Sequence, residues 1–256
     1  MNPLQAIRAR SLWALLSLTA LAALLAGHAT STGPAGASTI ETATSRTEAT
    51  KTQGVITQKT PGGDNAIAPD GQTIVQNDVP LPLRLKNKGG SDGAGLCVFT
   101  SCNVSGNWQN IPLLQDFRDW MTRFPGGGWP EKLTDMINKK AKAKGTPPPA
   151  YIQFTSNDLV VLELAVKTGR VPCVTYAFSP TGRYRGARIA HMVNLVHAGV
   201  GQAPDGSPWY AVLDNNYPEM LEWMSKKTFL KVYSGGKTGW GVVFLSPSPP
   251  PIPLSS

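Results

Sequence analysis

The chain has 256 residues, with 24 Lys and Arg against 16 Asp and Glu and a formal charge of +8. The positive charges are scattered and accompany no nucleic-acid motif, so nucleic acid is not an expected partner. Three cysteines and two histidines outside the N-terminal region match no zinc spacing, and no glycine-rich loop joins a strand to a helix; neither a metal nor a cofactor is expected.

Residues 1–29 begin with Arg8 and Arg10, continue through an apolar run from Ser11 to Ala26, and end in small residues. That order is the order of a secretory signal peptide. The apolar run is short against the ~20 residues of a bilayer span. A secreted or periplasmic protein, with no stable membrane insertion after signal cleavage, is the expectation. Residues 30–78 are rich in Thr, Ser, Gly and Ala, without helical or strand periodicity, and read as a flexible tether. Pro80 to Lys86 reads as an extended lead-in. Residues 246–256, rich in Pro and Ser, read as an extended tail. One domain remains, over 79–245, large enough to bury a core.

Within it, Ser91 to Gly95 is a glycine-punctuated loop that runs into a helix-compatible segment, Cys97 to Ser105, with Gly106 as its stop. Pro112 to Phe124 forms the next helix, with Leu113, Phe117, Trp120, Met121 and Phe124 on one face. Pro130 opens a third over Glu131 to Lys144; Lys139, Lys140, Lys142 and Lys144 suit the negative end of its dipole. Tyr151 to Phe154 is a short strand. Ser156 caps a buried helix over Asn157 to Thr168. Strands follow at Arg170 to Phe178, Arg188 to His197 and Trp209 to Asn215. Lys226 to Val232 is a short helix, and Trp240 to Leu245 closes the domain as a strand. Helices followed by an antiparallel sheet make an α+β fold.

Cys97 stands where loop becomes helix. The positive end of the helix dipole favours its thiolate, as a nucleophile requires. His191 and His197 share one strand and lie about 20 Å apart, so only one can reach that sulfur. If His197 faces Trp209 in the hairpin, His191 faces Asn215 and Asp214 points away. A one-residue shift of register exchanges Asp214 and Asn215. Both therefore stand as candidates for the group that orients the imidazole, and Cys97, His191 and one of them form a nucleophilic triad. Cys97 and Cys102 are badly placed for a bridge if both are helical. Cys102 can pair with Cys173 in an oxidising compartment, or Cys173 can stay buried and free.

Cys97 opening a helix, Gly169-Arg170-Val171-Pro172 leading into a strand, the segment His191 to Val196 and the segment Trp209 to Asn215 together resemble the papain-like cysteine peptidases. The resemblance is greatest to the bacteriocin-processing, double-glycine-leader branch, whose Trp-x-Ser-x-x-x-Phe region is similar to Trp223 to Phe229. It covers roughly Gly93 to Leu245. It implies N-terminal helices packed on an antiparallel sheet and a thiol hydrolase acting on a peptide or protein substrate. Cys97 is then the nucleophile, His191 the base and acid, and Asn215 or Asp214 the orienter. One departure stands out. The family has a Gln shortly before the nucleophile, whereas Ser91 lies six residues before Cys97 and no Gln lies between Val79 and Cys97. An oxyanion donor must come from the Cys97 backbone and some other group. Rival expectations are a non-catalytic papain-fold binding module of the cell envelope, a transglutaminase-like acyl transferase and a peptidoglycan amidase.

Overall fold

The computed structural model describes residues 56–59 and 66–246. The expected signal peptide, most of the expected tether and residues 247–256 of the tail lie outside them. Seven strands and five α-helices occur among the described residues: β1 Ile56–Lys59, α1 Cys97–Trp108, α2 Phe117–Met121, α3 Pro130–Lys144, β2 Tyr151–Thr155, α4 Val160–Lys167, β3 Cys173–Tyr176, β4 His191–Val200, β5 Trp209–Leu213, β6 Met220–Ser225, α5 Lys226–Ser234 and β7 Trp240–Phe244. The strands form one sheet in the order β1-β6-β5-β4-β3-β7-β2. Every neighbouring pair is antiparallel, so the α+β class holds. No helix among the described residues is long and apolar enough to cross a membrane.

The sheet separates two apolar clusters because alternate strand residues face opposite sides. On one side Cys173, Met192, Val242 and Phe244 meet Phe99, Phe117 and Leu133 of α1, α2 and α3. On the other, Val174, Val193, Tyr210 and Val212 meet Leu162 of α4 and Phe229 of α5. Ten consecutive residues of α1, Cys97 to Gly106, are buried. A helix buried all round shows no amphipathic stripe, which is why composition rather than periodicity marks it. Full burial of a side chain such as Phe99 contributes roughly 1.5–3 kcal/mol.

Several expectations need correction. Gly106 does not stop α1, which continues to Trp108. A Cβ there would lie 2.3 Å from that of Leu114, so the glycine serves close packing. The helix expected over Pro112 to Phe124 is a 3-10 turn, Pro112–Leu114, followed by α2. Asn103 of α1 causes the break: its Nδ2 donates to Gln115 O at 2.8 Å and its Oδ1 accepts from Arg118 N at 3.1 Å, replacing helical bonds. α4 begins three residues late, at Val160, whose N–H donates to Asp158 Oδ1. It also leaves Val160 and Leu164 exposed.

The tether expected to reach residue 78 is wrong over 66–78. Ile67 and Ile74 form a bridge, and Asp70 accepts from Gln72 N, Thr73 N and Trp209 Nε1. Asn77 Nδ2 donates to Val166 O and Arg170 O. Ala66, Ala68, Val75 and Val79 bury their side chains against Trp209 and Trp223. Residues 56–59, also assigned to the tether, pair with β6. The lead-in at Pro80 to Lys86 contains a 3-10 turn at Leu81–Leu83. Strand β6 lies in a stretch for which no strand was expected.

Candidate active site

Cys97 is the first residue of α1 and is 9% exposed. The loop before it is fixed from both sides. Gly89 bridges Gly95, Asp92 Oδ1 accepts from Ala94 N at 3.0 Å and Gly126 N at 2.7 Å, and Gly127 N donates to Gly95 O. Gly126 lies so close that a Cβ would sit 1.9 Å from Ala94 O. The glycine run that reads as a simple break in the sequence is thus one wall of a cleft of about 760 Å³, with Cys97 and His191 in its lining.

Register places the histidine's partner. β3 aligns Tyr176 with His191, and β5 aligns Leu213 with Asn194. Carried to the strand end, the second pairing sets Met192 opposite Asn215, on the face that α1 covers, while His191 and Asp214 share the other face. His197 pairs with Ala211, and Trp209 with Val200, because β4 is irregular between Leu195 and His197 and again between Ala198 and Val200. The expected pairing of His197 with Trp209 therefore fails. The one-residue shift selects Asp214.

His191 Nε2 lies 2.8 Å from Asp214 Oδ1. A carboxylate accepts, so Nε2 carries the proton and Nδ1 is left for the thiol. Burial pushes the Cys97 thiol up. The hydrogen bond and charge of His191, with the N–H groups of Met192 and Val98, outweigh burial and hold it below its ordinary value. Burial depresses His191, but Asp214 and Cys97 outweigh it and raise its pKa to about 9. Burial raises Asp214, and His191, Asn216 N–H and the Tyr184 hydroxyl bring it below the usual carboxylate range. The three groups reinforce the charged form of one another.

Asn215 has a different place. Its Nδ2 donates to Met192 O at 2.9 Å, Ser101 Oγ at 3.0 Å and Cys97 O at 3.2 Å. It clamps the start of α1 to the start of β4 without touching the imidazole's hydrogen bond. His197 is remote from Cys97. Its Nδ1 accepts from Gln76 N at 3.2 Å, its Nε2 meets Val200 O at 3.1 Å, and its ring packs on Trp223. Cys102 and Cys173 are both fully buried and free, with their sulfurs 3.9 Å apart.

Four site residues escaped sequence reasoning. Asn87 lines the cleft, ten residues before the cysteine. Its Oδ1 accepts from Leu96 N at 3.1 Å, which turns Nδ2 the other way, where it donates to Asn216 Oδ1 at 3.2 Å. An amide nitrogen has two N–H groups, so one is left over. Tyr184 donates to Asp214 Oδ2 at 2.7 Å. Arg183 places Nη1 3.8 Å from Asp214 Oδ2 and 3.7 Å from Glu222 Oε2. Glu222, fully buried, also accepts from Tyr176 Oη, Ser179 Oγ and Thr181 Oγ1. The glycines around Gly182-Arg183-Tyr184-Arg185-Gly186 signal a tight turn, but nothing local says that it folds back on Asp214.

A buried thiol paired with an imidazole, itself held by a buried carboxylate, at a helix start and open to a cleft, is equipped to attack an electrophilic carbon. Comparison of the chain with family models, with curated proteins and with solved structures finds no match for it.

Proposed function

We propose that this protein is a thiol hydrolase of papain-like fold that cleaves a peptide or amide bond. The observation that carries the reading is the Cys97–His191–Asp214 constellation at the first turn of α1, inside the cleft. The chain order of helix-borne cysteine, strand-borne histidine and carboxylate at the end of the next strand supports the papain-like assignment. The Cys97 thiolate adds to the carbonyl carbon, and the carbonyl oxygen takes up the negative charge. The Cys97 backbone N–H, at the positive end of α1, and the spare N–H of Asn87 stabilise that oxygen. Asn87 thereby takes the part that the missing Gln leaves open. The C–N bond breaks as the imidazolium gives its Nδ1 proton to the leaving amine. Neutral His191 then takes a proton from water, hydroxide attacks the thioester, and the acid departs with the thiolate restored. Asp214 holds the ring throughout. The arginine-bearing N-terminal segment and its apolar run support export to the periplasm or the exterior.

A thiol-directed electrophile followed by mass mapping tests this reading. Cys97 should be modified first, because Cys102 and Cys173 are 0% exposed. Cys97→Ala should lower peptide hydrolysis by at least about 10³-fold. Labelling confined to Cys102 or Cys173, or hydrolysis that survives in Cys97→Ala, would overturn it, and an unchanged biological effect in Cys97→Ser would favour a binding module.

A further inference from the structure

The cleft has two unlike walls. On the helical side stand Gly127, Gly128 and Trp129, the last 52% exposed. On the sheet side stand Arg188, from the connection between β3 and β4, and Lys237, from the connection between α5 and β7. Arg188 Nη2 donates to Gly235 O, which ties these two connections together. The Lys237 ammonium has no hydrogen-bond or ion-pair partner among the described residues, and both side chains are exposed. Apart from the Cys97–His191 pair, these two are the charged residues of the lining, and no Asp or Glu among the described residues lines it. Lys88 and Arg118 bind Asp119 and Lys226 binds Glu163, whereas exposed Lys139, Lys142 and Lys231 have no ion-pair partner among the described residues, so what sets Arg188 and Lys237 apart is their shared place in a concave lining without an acid. Two unneutralised cations on one wall of a concave site raise the local concentration of anions and favour a carboxylate in the bound molecule.

We propose that this cleft selects a peptide bearing a carboxylate, held by Arg188 and Lys237 beside the Cys97 thiol. This deepens the hydrolase reading and rests on it for the position of the scissile bond. The carboxylate is either an Asp or Glu side chain or a free C-terminus.

Paired alkylation of the full chain tests the charge without any need for turnover. The rates at Cys97 are measured with iodoacetate, an anion, and with iodoacetamide, its neutral analogue, at pH 7 and low salt. The imidazolium affects both the native protein and its variants, so the change on substitution isolates the two cations. Lys237→Gln, at an ammonium without a partner among the described residues, and the double substitution R188Q/K237Q should each lower the iodoacetate rate, by about threefold for the pair. The iodoacetamide rate should stay unchanged, which also reports that the site is folded. Sodium chloride at 0.5 M should narrow the gap between native and variant protein. An unchanged ratio of rates in both variants overturns the proposal. No alkylation of Cys97 by either reagent overturns the hydrolase reading, and the substrate class with it. Peptide pools supply the second arm. Preference for Glu or Asp over Gln or Asn assigns a side-chain carboxylate, loss of cleavage on C-terminal amidation assigns a free terminus, and indifference to both overturns the proposal.

Discussion

Asp214 and Asn215 are neighbours with separable duties. Asp214 stabilises the protonated imidazole, so its loss should be felt in the protonation of His191. In the ion pair His191 carries its proton below about 9, and in the proposed hydrolysis rising pH removes the acid that the leaving amine needs. Activity should therefore fall on the alkaline side near that value, and on the acid side at the depressed pKa of Cys97. Asp214→Asn removes the carboxylate charge, so the alkaline limb should move to lower pH and kcat/KM should fall by about 10²-fold or more. Asn215→Ala removes a buried amide that ties α1 to β4. It should cost roughly 1–3 kcal/mol of stability while leaving the alkaline limb in place. Urea unfolding and a pH–rate profile on both variants separate the two. A shifted limb in Asn215→Ala and none in Asp214→Asn would exchange their roles.

At the scale of elements, β4 decides which neighbour serves. Face alternation was legible in the residues: it put His191 on one strand and narrowed the partner to 214 or 215. The irregularities in β4 that settled the choice were only half legible. Gly199 inside a strand pattern is a signal for a bulge, and it sits at φ +77° beside the second irregularity. The first has no such mark. There Val196 O accepts from Asn77 N–H of the arm formed by residues 66–79 at 3.0 Å, a partner more than a hundred residues away in the chain. Distance hid Asn87 and Tyr184 in the same way, since their roles depend on loops folding back, not on spacing. Helix breaks depended on a side chain too: Asn103 divides what looked like one helix. If Gly199 holds the bulge, stability should fall in the order Gly, Asn, Ala, Val at this position. Asn tolerates the left-handed region, whereas Gly199→Ala should cost roughly 1–2 kcal/mol. Thermal unfolding of the series checks the order, and an Ala variant as stable as the native chain would remove the bulge argument.

Across the whole molecule, the two buried histidines act on stability in opposite directions. His191 is charged in the folded protein and raised to about 9, against about 6.5 when unfolded. Its contribution is full below 6.5 and is lost as pH rises toward 9, partly offset by Cys97, whose depressed thiol favours the fold as pH rises. His197 is the reverse. Burial lowers it, more than Val200 O and the charge of Asp70 raise it, so it folds neutral. The unfolded chain takes up a proton that the folded one refuses. Its contribution is present above 6.5 and is lost as pH falls toward its depressed folded pKa. The penalty has a definite location. Nδ1 accepts from Gln76 N, the same Gln76 takes Ala198 N–H on its Oε1 at 2.7 Å, and Asn77 bonds Val196. A proton on Nδ1 sets N–H against N–H and loosens the 66–79 arm first. Between pH 6.5 and 5, hydrogen exchange at Gln76 and Asn77 should quicken before the central strands respond, and unfolding free energy should decline. His197→Gln keeps an acceptor and cannot take the proton, so its stability should be flatter over that window. Equal slopes in the two proteins, or exchange rising evenly across the sheet, would mean that acid enters the fold elsewhere.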